Sequence, residues 1–139
     1  MSAINTSIGS SLLKFTFSDD EGDVIASFRM NPADIKLAQR CQEVSSYFEE
    51  LKEKTQENAT LEDVVKLNNE VEDKICNLLG YDAKQSLFGQ ISATSVLGDG
   101  NMFVVLVMEK IVEAVAPEIS RRKQSMADAV AKHTAKYAK

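Results

Sequence analysis

The sequence predicts an α+β fold, mostly helical: an N-terminal β-hairpin packed on a small bundle of three to four helices, with a basic C-terminal tail that is helical or flexible. Three observations carry this expectation. Residues 12–30 alternate apolar and polar side chains on both sides of an acidic turn, which is the period of a strand. Residues 32–54 and 61–79 repeat apolar side chains every three to four positions, which is the period of a helix. The apolar run 102–108 continues at helical spacing to residue 116. The 139 residues suit one domain and suffice to bury roughly two-thirds of the unfolded surface.

Residues 1–11 are small and polar around Gly9 and read as a flexible arm. Leu13, Phe15 and Phe17 then face one way, and Val24, Ala26, Phe28 and Met30 repeat the pattern after the turn at 18–23. Two strands alone are marginal in water, so the Phe-rich face must lie on the helices that follow. Asn31, Pro32 and Asp34 form a helix start. Ile35, Ala38, Cys41, Val44, Phe48 and Leu51 give the apolar stripe of a first helix, placed at 32–54. Thr60 and Asp63 resemble a capping box opening a second helix at 61–79, whose stripe is Leu61, Val64, Val65, Val71, Ile75, Leu78 and Leu79. Asn68 interrupts that stripe as a polar contact or at its edge, and Gly80 suits the helix end. Residues 81–88 form a short helix before a Gly-containing loop at 89–101. A buried helix at 102–116 follows. Pro117 ends or kinks it, and 118–136 can form a further, polar helix. The domain is therefore 12–116 and the tail 117–139.

Charge divides at the same place. Residues 1–116 hold 19 acids and 10 bases (−9), whereas 117–139 hold 2 acids and 6 bases (+4). An acidic body argues against general nucleic-acid binding, because phosphate contacts need clustered Lys and Arg. The longest apolar run is seven residues against the roughly 20 of a membrane span. The N-terminus lacks a charged and then apolar leader. Cys41 and Cys76 each fall on an apolar stripe and read as reduced core thiols, so a cytoplasmic setting is expected.

No catalytic, cofactor-binding or metal-ligating set emerges. The acidic turn Asp19, Asp20, Glu21 and Asp23 lacks the ligand spacing of a calcium loop and reads as a solvated hairpin turn. His133, the one histidine, has no Cys, Ser or acid arranged around it. Gly98-Asp99-Gly100 is not followed by the Gly-Lys-Ser/Thr of a phosphate loop. Arg121, Arg122 and Lys123 are either a docking surface for an acidic partner or RNA, or a cationic helix end that complements the dipole. Aromatic platforms for single-stranded nucleic acid do not interleave them. The run 102–108 is apolar on every face, so Met102, Val105 and Met108 are candidates for a surface that meets partner helices, methionine adapting to varied sequences.

The order of these features resembles a known family. A hairpin, Leu13-Lys14-Phe15-Thr16-Phe17 with Val24-Ile25-Ala26-Ser27-Phe28, is followed by two amphipathic helices, a segment ending Leu87-Phe88-Gly89, a Gly-containing loop, the apolar helix 102–116 and a charged tail. This is similar to the small tail assembly chaperones of long-tailed bacteriophages, particularly phages and prophages of Gram-positive bacteria. The resemblance covers most of 12–116. It implies a non-enzymatic protein of the host bacterial cytoplasm that escorts the tape-measure protein, or another tail protein, during tail assembly. Self-association fits the same role. The alternatives are another oligomerising phage or bacterial adaptor, or a small nucleic-acid-associated regulator acting through the basic tail.

Overall fold

A computed structural model describes residues 3–6, 12–54 and 58–137, with side chains described up to residue 51 and over 58–132. Most of the expected arm at 1–11 lies outside the described residues. The elements are β1 (Leu13–Ser18), β2 (Val24–Met30), α1 (Ile35–Lys54), α2 (Leu61–Leu79), α3 (Lys84–Phe88) and α4 (Phe103–Tyr137).

β1 and β2 form the expected antiparallel hairpin, with Phe15 opposite Phe28 and Phe17 opposite Ala26. The acidic turn is a hydrogen-bonded one: the Asp19 carboxylate accepts from the Glu21 and Asp23 amides. Ala26, Phe28 and Met30 are buried on the helices. Phe17 meets Phe103 of α4 edge-on at 5.2 Å, and Phe103 meets Phe88 of α3 at 6.1 Å. Leu13 and Val24, expected on the covered face, are 42% and 55% exposed. A register shift between Phe17 and Ser18 pairs Val24 with Ser18 beside the turn, whereas Leu13 pairs with Met30 at the open end.

Helix α1 begins at Ile35, three residues later than expected. Asn31 caps a tight turn instead, accepting from Ala33 N–H, and Asp34 caps the helix by accepting from Lys36 N–H. The buried line runs Leu37, Cys41 and Val44 into Phe48 and Leu51. Ile35 lies off that line and is exposed. α2 has the expected capping box, with Thr60 and Asp63 exchanging side-chain and backbone hydrogen bonds, and closes on Gly80 at φ 82°. Its first two turns correct the sequence reading: Leu61, Val64 and Val65 are exposed, and burial begins beyond them at Val71. Arg40 of α1 donates to Leu78 O, satisfying a carbonyl at the end of α2 that lacks a helical partner.

Residues 81–83 turn before α3, which is shorter than expected. The Tyr81 hydroxyl accepts from Arg29 N–H, and the Arg29 guanidinium lies 4.4 Å above its ring. The Gly-containing loop is anchored. The Glu72 carboxylate accepts from Asn68 Nδ2 and Ala93 N–H, and Asn68 Oδ1 accepts from Thr94 N–H and Oγ1. Asn68 is thus a satisfied polar contact, the first of the two readings its place on the stripe allows. The loop in turn receives α4, as Ala93 O and Ser95 O accept from Val104 and Phe103 N–H.

Beyond the loop, the sequence expects Pro117 to end or kink the helix and allows a further one after it, and the chain forms a single helix of 35 residues, about 52 Å long. Pro117 removes one amide donor, but Pro117 and the Glu113 turn it would have served both face solvent, where water can take the donor's place. The body also reaches past residue 117: Ile119 packs on the core, and Arg122 donates to Ala33 O at 2.6 Å.

Candidate functional site

Helices α1 and α4 run antiparallel, as two contacts show: the start of α1 meets residues 118–122, and residues 45–49 in its second half meet residues 105–113. Between the second half of α1 and the first half of α4 lies an open groove of about 410 Å³. Phe48 of α1 and Val105, Met108 and Val112 of α4 make its floor, and Glu49, Glu109 and Glu113 stand along it. The helical period explains the arrangement. Val105, Met108 and Val112 follow one another at three- and four-residue steps, one side of the stripe that buries Val104, Val107 and Ile111. Val105 is 37% and Val112 46% exposed, so this flank keeps apolar surface in contact with solvent. An apolar floor with carboxylates along it suits a helix that carries its own apolar stripe and basic neighbours.

The six candidate residues do not gather in one place. Val105 lies in the groove as an exposed floor residue. Met108 is also a floor residue but is 8% exposed and mostly core. Met102 is half-buried and forms a bridge with Val96 that closes the loop. Of the 102–108 run, Phe103, Val104 and Val107 are fully buried, because loop, hairpin and α3 surround the start of α4, and of the three candidates Val105 is the one left exposed. Arg121 pairs with Glu118 at 3.0 Å, and Arg122 is held by Ala33 O. Lys123 is exposed on the part of α4 that leaves the body. Sequence reading missed Phe48 and Val112 as surface, since both sit on stripes that look like core. The signal that separates them is the relative rotation of two packed helices, which no local pattern encodes.

Elsewhere, a cavity of about 640 Å³ lies at the α2–α3 junction beside Cys76, Asn77 and Tyr81. An ion pair between Lys84 and Asp73 at 2.6 Å lies on its wall. Cys41 and Cys76 are free, and burial pushes both thiols above their ordinary value, which makes them poor nucleophiles. Among the described residues no three His, Cys, Asp or Glu side chains gather as metal ligands, and no helix is long and apolar enough to cross a membrane. His133 and the outer lysines of the tail have side chains outside the described set.

No family model, curated protein or solved structure matches the chain.

Proposed function

We propose that the chain is a non-enzymatic binding protein that holds helical segments of another protein in the α1–α4 groove, acting as a tail assembly chaperone for the tape-measure protein of a long-tailed phage. The observation that carries the binding reading is the apolar floor formed by the exposed Val105 and Val112 beside the partly buried Phe48. A tape-measure protein is long and helical, and such a chain needs its apolar stripe covered until the tube forms around it. A groove with an adaptable Met108 in its floor suits varied stripes better than a pocket shaped to one side chain. The order of hairpin, helices and tail supports the phage assignment. The nucleic-acid reading is weaker, because Arg121 and Arg122 are engaged with Glu118 and Ala33.

The test is capture of the tape-measure protein by wild type and by Val105→Glu and Val112→Glu. Both side chains are exposed enough for the fold to survive, which a thermal melt checks. Loss of capture with an unchanged melt is expected. Full capture by both variants would overturn the groove as the working surface.

A further inference from the structure

Val105, Val112, Ile119 and Met126 recur every seven residues along α4, with Val130 beside the last. This single line begins in the groove and runs off the body. At the start it is partly covered by α1; at its end it is bare, with Met126 63% and Val130 65% exposed. From residue 123 to 132 every side chain of α4 is exposed. A helix of this length gains little stability in water without a packed face. A seven-residue apolar line that outlasts the body is the pattern of a helix that pairs with another helix.

Charge selects the partner and its direction. The groove half of α4 carries Glu109 and Glu113 beside the line, and the outer half carries Lys123 on the same side of it. Parallel pairing of two copies would set like charges side by side. Antiparallel pairing centred near Pro117 sets Val105 against the Met126–Val130 turn and Glu109 against Lys123, twice over by symmetry. The body of each copy is acidic and each tail basic, so the long-range field favours the same direction.

We infer that two copies of this chain pair through α4, antiparallel, each laying its basic outer helix into the other's α1–α4 groove. The pairing rests on the groove proposed above as the client site and makes the second copy's tail its occupant when no client is present. A client then competes with the tail, and residues 123–137 act as a displaceable cover.

Size-exclusion chromatography with light scattering on the full chain, without client, tests this. Twice the single-chain mass is expected. Met126→Glu lies wholly outside the body and should give a monomer that still melts cooperatively, only slightly below the dimer. Lys123→Glu and Glu109→Lys should each weaken the dimer about tenfold, and the two together should restore it. A monomer at every concentration, or a dimer indifferent to Met126→Glu, overturns the pairing. So does a monomer whose tail is protected from protease, because the tail would then fold onto its own groove. Restoration failing in the double variant overturns the antiparallel register. The two readings separate cleanly: a monomer that still captures tape-measure protein sinks only the pairing, and a dimer that captures none sinks only the chaperone role.

Discussion

Phe28 stacks on Phe15 at 4.9 Å and on Phe17 at 6.0 Å, and is 2% exposed. It joins the hairpin to the helices, so Phe28→Ala should cost about 3–5 kcal/mol in chemical denaturation. Phe15 is only half-buried, and the same change there should cost clearly less. A loss under about 1 kcal/mol at Phe28 would mean that the hairpin face is not core. Alternation in the sequence placed these aromatics on one face, and that much was legible. The role of Glu72 was not. It looks like any carboxylate on a helix, yet it is 9% exposed and accepts from Ala93 N–H, 21 residues away. A contact so distant in sequence leaves no periodic trace. Asn68, four residues earlier, did leave one, because a polar residue broke an apolar stripe.

Helix boundaries show which local signals are strong. The capping box and Gly80 fix both ends of α2 where the sequence places them. The Asp63 carboxyl is held below its usual value by hydrogen bonds from Thr60. A carboxylate lowered in the folded state contributes stability above its unfolded pKa and loses it as pH falls through the folded one. Thr60→Ala should therefore destabilise by about 1 kcal/mol at neutral pH, and its difference from wild type should shrink below the ordinary carboxylate range. A difference that does not change with pH would show that the Thr60 side chain contributes nothing to holding the Asp63 carboxyl low. Asn31 and Pro117 are the weak signals. Asn31 caps a turn rather than the helix, because Asp34 offers a second cap three residues on. Pro117 does not stop α4, since the amide it lacks belongs to a solvent-facing turn. Both outcomes depend on surroundings that periodicity does not describe. The exposed Leu61, Val64 and Val65 make the same point: an apolar stripe says which face could be buried, and only the packing decides how much of it is.

At the scale of the molecule, the division between body and tail falls later than composition suggests. Ile119 and Arg122 hold the first turn after Pro117 to the start of α1. Removing residues 124–139 takes away only the contacts with a second copy and should lower the thermal melt of the body slightly. Removing 118–139 should lower it further, since the Ile119 contact and the Arg122 bond go too. Equal melts for both truncations would mean that the anchor contributes nothing. The fold class, four of the six elements and the acidic body were legible in the sequence. The groove was not, because it lies between two helices whose mutual rotation sets which apolar residues stay in solvent. Its occupation by a helical client is the central claim. Hydrogen exchange on adding tape-measure protein to the Met126→Glu monomer, whose groove no second tail covers, tests it directly. The account predicts new protection at residues 45–49 of α1 and 105–113 of α4, with the hairpin unchanged. Protection confined to α2 and α3, or none at all, would contradict it.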